Sequence, residues 1–333
     1  RPRLTRLGWR AETRNRCRSV LVADTNACSF RAVPTGRGAT IRAAVSRGVG
    51  LPPSIENLHL DAPGPDEVRV VVEACAVCHS DLSYVDGIWA TDFPLVLGHE
   101  ASGRVADVGD GVHDLSTHDP VVVSLVRTCG ECRACRKGHE VACTGNLPLN
   151  DRSPLSDADG NRIPQGLNVA AFATQVVVHR SQVVRLPDGF DLIEASLLGC
   201  GVLTGSGAVT NTARVGRGDA VIVVGCGGVG VGAIQAARIA GAEPILAVDP
   251  EADKRKAALG FGATHTVDPV GDDVAAAIRS ATGGRLADHL LVTTGAPAAL
   301  DGAIDLLAPM GQLVIVGMPG DDVTIDVAPS WLA

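Results

Sequence analysis

An unbroken apolar run at residues 220–224 ends in Gly225 and passes into a stretch of small residues reaching about Ala240. A short apolar run closed by glycine reads as a strand buried on both faces, and the small-residue stretch as a helix packed closely against it. A second apolar run ends at Asp249. Shorter segments at 265–267, 289–292 and 312–316 predict three more strands, separated by helical stretches such as 297–307. The second half of the chain is therefore expected to hold five parallel strands, one fewer than the usual doubly wound six. In the first half a strand is predicted over 68–74, delivering Cys78 at its end. Residues 1–40 show neither helical nor strand periodicity, and the texture changes at about Ile41.

A length of 333 residues predicts two domains, and 46% hydrophobic with 20% charged residues and 39 glycines suits a turn-rich α/β protein. No stretch reaches the roughly 18 consecutive apolar residues that a membrane span needs, so membrane insertion is not expected. The net charge of −8 is unevenly spread. Nine arginines against Glu12 and Asp24 give residues 1–40 a charge of +7, which leaves −15 on the remainder. So acidic a body is a poor match for nucleic acid, where Lys and Arg must displace counterions from phosphates. The Arg-rich leader fits either a transit peptide or an upstream segment never meant to fold. It is expected to be disordered, with Cys17 and Cys28 incidental.

Four of the ten cysteines crowd into "CGECRACRKGHEVAC", where Cys129, Cys132, Cys135 and Cys143 follow C-x2-C-x2-C-x7-C. A tight loop with that spacing can wrap four thiolates around one tetrahedral Zn(II), leaving no open position for chemistry. Disulfides are the plainer alternative, but cysteines two residues apart rarely reach bridging geometry, and the acidic, cytoplasmic-looking body favours reduced thiols. An iron–sulfur cluster is the sharper rival, yet its bacterial motif closes with x3 and Cys-Pro. Structural zinc is the expectation.

A second donor set is dispersed: Cys78, His99 in Gly-His-Glu, and Cys200 between glycines in "LLGCGVLTGSGAV". Singly, each reads more readily as a packed core residue. Together they describe a catalytic zinc with a position left for water or substrate. Asp81 and Glu100 lie near these ligands, able to orient His99 or approach the ion, or to be simple surface acids. Cys75 is expected to point into the core. Downstream, "VVGCGGVGVG" places Gly225, Gly227, Gly228 and Gly230 between strand and helix, the arrangement that seats a pyrophosphate on a helix N-terminus. Asp249, twenty-four residues after Gly225, suits ribose hydroxyls and repels a 2′-phosphate, so NAD is expected over NADP, a preference that Lys254 and Arg255 soften.

With "CHSD", "GHEASGRVADVG", the four-cysteine loop, "GCGVLTGSGAV" and "GCGGVG" in this order, residues 41–333 resemble the zinc-dependent medium-chain alcohol dehydrogenases. The resemblance implies a GroES-like, mostly β catalytic domain over 41–200 and a Rossmann NAD-binding domain over 201–333. It also implies a catalytic zinc on Cys78, His99 and Cys200, with Glu100 close by, and a structural zinc in the loop. Ser80 takes the alcohol proton in that scheme, His79 lies near the pyrophosphate, and Val229, Val316 and Met318 shape the nicotinamide pocket. A homo-oligomeric, cytoplasmic enzyme oxidising a primary alcohol or reducing an aldehyde follows.

Three departures stand out. Ser83 occupies the place where many relatives end the proton relay with histidine. Leu147 occupies the place of an arginine in thiol-adduct formaldehyde dehydrogenases; with Trp89 and Leu125 as pocket walls, this points to an apolar substrate. Relatives also continue beyond "VTIDVAPSWLA", so a C-terminally truncated fold is expected, with a dimer-extending strand at 323–327. The alternative is a non-catalytic zinc- and nucleotide-binding chain acting as a dimer partner.

Overall fold

Alternation becomes architecture at the first strand, where Ile41, Ala43 and Val45 are buried while Arg42 is exposed. The computed structural model describes residues 36–319 and 323–325. Its N-terminal strands are β1 (Ala39–Ser46), β2 (Ser54–Leu60), β3 (Glu67–Ala76), β4 (Leu95–Val96), β5 (Glu100–Val108), β6 (Pro120–Val123), β7 (Leu155–Ser156), β8 (Gln175–His179) and β9 (Val183–Arg185). They form two antiparallel sheets, ordered β4-β1-β2-β7 and β8-β3-β5-β6-β9. β1 meets β2 with Ile41 opposite Leu58, and β3 meets β5 with Cys75 opposite Ala101. β3 runs inside the second sheet between β8 and β5, and its valines at 68, 70 and 72 join Cys75, Val105 and Val123 in one core. Cys75 is buried there, as its strand position predicted.

Short helices punctuate these sheets: α1 (His79–Val85) directly after β3, α2 (Arg133–Arg136) inside the four-cysteine loop, α3 (Pro148–Asp151), and α4 (Leu192–Ser196). Asp191 caps α4 by accepting the N–H groups of Ile193 and Glu194.

The second unit begins with α5 (Gly201–Gly207). It continues through β10 (Val221–Val224), α6 (Gly228–Ala240), β11 (Ile245–Val248), α7 (Ala252–Phe261), β12 (His265–Val267), α8 (Val274–Ala281), β13 (Ala287–Val292) and β14 (Leu307–Ile315). The strands form one parallel sheet ordered β12-β11-β10-β13-β14. Val221 and Val223 face Ala233, Ile234 and Ala237 of α6, whereas Ile222 joins Leu246, Leu290 and Ile278 on the other side. Both faces are covered there, so β10 and β11 are apolar at every position rather than alternating. The chain turns from one side of β10 to the other, which opens a crevice at its C-terminal end, the usual ligand position in such sheets.

Several expectations need correction. Residues 297–307 are not a helix: two 3-10 turns, Pro297–Leu300 and Ala303–Leu306, flank Gly302 at φ 63°, and β14 starts at once. β14 also begins five residues before the predicted strand. The expected edge strand at 323–327 is not formed over Val323–Ile325, and Asp326 and Val327 lie outside the described residues. The change at Ile41 falls two residues inside β1, while the leader through residue 35, with Cys17 and Cys28, lies outside them. Among the described residues no single helix is long and apolar enough to cross a membrane.

Candidate active site

The end of β3, the start of β5 and the start of α5 converge on one point. Cys78 is the residue before α1, so its sulfur sits where the strand gives way to the helix. His99 follows Gly98, whose φ of 93° turns the chain into β5. Cys200 precedes α5. One donor atom from each of Cys78, His99, Glu100 and Cys200 lies within 4.8 Å of the others. The sequence reading placed all four at the metal site, Glu100 beside the three ligands, and the structure brings its carboxylate into the same cluster.

Asp81 organises the cluster from behind. Its carboxylate accepts the N–H of Cys78 at 3.1 Å and of Gly98 at 3.0 Å, and lies 3.2 Å from His99 Nδ1. Committing Nδ1 to a carboxylate leaves Nε2 as the ligand nitrogen, and Nε2 is buried with no hydrogen-bond partner. An orphaned buried nitrogen beside two sulfurs fits a thiophilic divalent ion such as Zn(II).

The protonation pattern of the bare cluster agrees. The hydrogen bond from Cys200 and the neighbouring His99 hold Cys78 well below the ordinary thiol range, while that same thiolate and burial keep Cys200 protonated. Burial opposes charge on His99, but Asp81 and the Cys78 sulfur outweigh it and raise the imidazole to about 10. Burial, then the negative Cys78, pushes Glu100 up to about 7. A dication is the partner these groups lack.

Ser80 Oγ lies 3.7 Å from Cys78 Sγ, and Ser83 Oγ donates to the His79 carbonyl one turn earlier. Trp89 stands edge-on to Tyr84 with ring centroids 5.3 Å apart. Leu125 packs against the core of the β3 sheet, and Leu147 precedes α3. Thr204, which the sequence reading missed, places Oγ1 4.0 Å from Cys200 Sγ. Its signal was present: it stands one helical turn after the cysteine.

The four-cysteine loop closes as its spacing predicts. Cys129, Cys132, Cys135 and Cys143 bring their sulfurs within 4.8 Å of one another, and all four are free thiols. Backbone N–H groups aim at the sulfurs: Cys132 at Cys129 (3.3 Å), Cys129 at Cys143 (3.3 Å) and Gly145 at Cys143 (3.4 Å). Such donors stabilise thiolates, and the N–H groups of Cys135 and Thr144 pull Cys132 down to about 5. A Cβ on Gly145 would stand 2.3 Å from Cys129 Sγ, so only glycine fits there.

At the head of the parallel sheet, Gly225 takes φ 93° and Gly227 precedes α6. A Cβ on Gly230 would come within 1.8 Å of the Gly225 carbonyl, so strand and helix approach too closely for any side chain. Gly227 and Gly228 instead face open space, the bare backbone an anionic ligand needs. Asp249 is buried and ties the turn together, with Oδ2 accepting from Cys226 N and Oδ1 from Glu251 N, both at 2.8 Å. Arg255 is held by the Asp249 carbonyl and by Asp268 at 3.0 Å, while Lys254 is exposed. Val229 and Val316 are half-buried and Met318 is exposed.

The cluster and the turn are neighbours. A Cβ on Gly201 would lie 3.7 Å from Glu100 Oε1 and 3.7 Å from the carbonyl carbon of Gly228. α5 thus carries Cys200 on one side and touches the first turn of α6 on the other.

Comparison with known proteins agrees with this geometry. Residues 64–188 match the family described as alcohol dehydrogenase GroES-like domain, and 228–333 match zinc-binding dehydrogenase. A geraniol dehydrogenase of Castellaniella defragrans is 38% identical over 293 residues, covering 85% of this chain and 78% of its own. A crystal structure from Burkholderia ambifaria, of an alcohol dehydrogenase zinc-binding domain protein, superposes with a TM-score of 0.81 at 37% identity, covering 87% of this chain and 80% of its own. The benzyl alcohol dehydrogenase of Acinetobacter calcoaceticus gives 0.79 at 32%, with the same coverages.

Proposed function

Because the chain belongs to the zinc-dependent medium-chain alcohol dehydrogenase family, we propose that it transfers hydride between an apolar primary alcohol, or the corresponding aldehyde, and NAD at a zinc held by Cys78, His99 and Cys200. The observation that carries this reading is the Gly201 junction, which sets the mixed sulfur, nitrogen and carboxylate cluster against the turn that would seat the pyrophosphate. The division of labour follows, with residues 41–200 holding metal and substrate and 201–333 holding nucleotide. A second ion in the four-cysteine loop is structural.

When bound, zinc supplies a Lewis acid that lowers a hydroxyl pKa from about 16 towards about 7, and the nicotinamide supplies the hydride acceptor. The chain's own residues do the rest. Asp81 fixes the His99 ring, and Thr204 steadies Cys200. Glu100 stands beside the three ligands as a further donor. Ser80 is placed to receive the alcohol proton and pass it to solvent, since Ser83 bonds backward to His79 and provides no imidazole exit. Trp89 and Leu125 form apolar walls that exclude water. Val229, Val316 and Met318 border the nicotinamide end, and His79, exposed in the first turn of α1, lies towards the pyrophosphate.

NAD is the preferred dinucleotide on charge grounds. Asp249 is committed to holding the turn, Arg255 is already paired with Asp268, and Lys254 alone is left to meet a 2′-phosphate. The test is NADH formation with short and terpenoid or benzylic primary alcohols, before and after chelation. Turnover that survives complete metal removal overturns the proposal.

A further inference from the structure

Beside the four-cysteine loop, and separate from the cluster at Cys78, a cavity of about 400 Å3 opens to solvent. Arg127, Asn150, Asp151, Arg152, Arg162 and Gln165 are among the residues that line it. Arg127 forms its floor and is only 9% exposed. Every partner this guanidinium has is neutral: Nε donates to Gln182 Oε1 at 3.0 Å and Nη1 to Asn150 Oδ1 at 3.1 Å. Nη2 donates to the Asn168 carbonyl at 2.8 Å and to Gln165 Oε1 at 3.4 Å. Among the described residues no carboxylate stands within ion-pair distance of it.

The nearby acids are engaged elsewhere. Glu67 accepts two bonds from Arg152 at 2.7 and 2.8 Å, Asp61 pairs with Arg162 at 2.7 Å, and Asp151 accepts from Asn146 at 2.7 Å. Arg152 and Arg162 keep 37% and 54% of their side-chain surface exposed at the cavity mouth. The site therefore holds three guanidinium groups and the Asp151 carboxylate; Arg152 and Arg162 are paired with Glu67 and Asp61, and Arg127, the deepest, has no counter-charge in ion-pair reach.

A buried cation is costly unless an anion answers it, and the one Nη1 N–H that no protein group takes suits an oxyanion better than chloride. We propose that this cavity binds a small oxyanion, an inorganic phosphate or a short dicarboxylate, between Arg127 below and Arg162 above. Its occupant steadies the loop, because Asn150 also donates to the Gly145 carbonyl at 3.3 Å and Gly145 in turn donates to Cys143 Sγ.

The experiment is thermal unfolding of the full chain titrated with phosphate, succinate or chloride at matched ionic strength. A saturable rise in Tm with phosphate or succinate, absent with chloride, is expected, and which anion saturates first identifies the source. Arg162→Gln, at an exposed position, should weaken that midpoint about tenfold, the loss of one charged contact. Arg127→Lys keeps the charge but loses the Nη1 donor and should do the same. If chloride protects equally, if neither oxyanion protects, or if Arg162→Gln follows the parent curve, the proposal fails. In the last case the anion sits elsewhere, for example at the Gly225–Gly230 turn.

Discussion

His99 reaches the cluster with one ring nitrogen already committed. Asp81 holds Nδ1, so the tautomer is fixed and Nε2 is aimed before any ion arrives. Replacing Asp81 with Asn should therefore lower metal affinity or activity by about 10- to 100-fold while leaving the fold intact, as measured by metal titration and circular dichroism. The same residues give a pH dependence. In the bare cluster His99 stays protonated up to about 10 and Glu100 to about 7. An entering dication displaces these protons and that of the Cys200 thiol, so affinity must rise with pH, by about tenfold per unit for each proton released. Competition with a chelating indicator at pH 6, 7 and 8 reads this directly, and a flat profile contradicts the proton count. Cys200→Ser removes one ligand from this cluster alone, so turnover should vanish while the loop keeps its ion.

At the scale of elements, the contact between α5 and α6 is made by absent side chains. A Cβ on Gly205 would lie 2.1 Å from the Val229 carbonyl and 2.6 Å from Ala233 N, both backbone atoms that cannot swing aside. Gly205→Ala should cost about 1 to 3 kcal/mol in chemical denaturation and raise the KM for nucleotide together with it. Elements of this kind divide sharply in how far they can be read in advance. Fully apolar strands such as Val221–Val224 announce themselves, as do cysteines at metal spacing, because few other structures tolerate either. The Pro297–Leu306 stretch misled because its apolar spacing looks helical, whereas the left-handed Gly302 interrupts it. β14 was hidden by Pro309 and Gly311, which lie in an irregularity where its pairing to β13 breaks after Leu307 and resumes at Gln312. Gly201 matters only through the register of α5 against α6, which no local pattern encodes.

For the whole molecule, two donor clusters predict two zinc ions per chain in atomic absorption of the purified protein. They should leave separately. The four-cysteine loop offers four sulfurs, whereas the cluster at Cys78 offers two with a nitrogen and a carboxylate, so mild chelation should abolish turnover with about one ion still bound. Gly201 adds a coupling between the halves. Since the same short helix bears a metal ligand and abuts the nucleotide's seat, cofactor arrival must tug on the ion even when no alcohol is present. Cobalt in place of zinc would turn that tug into colour, with NAD alone shifting its visible absorption.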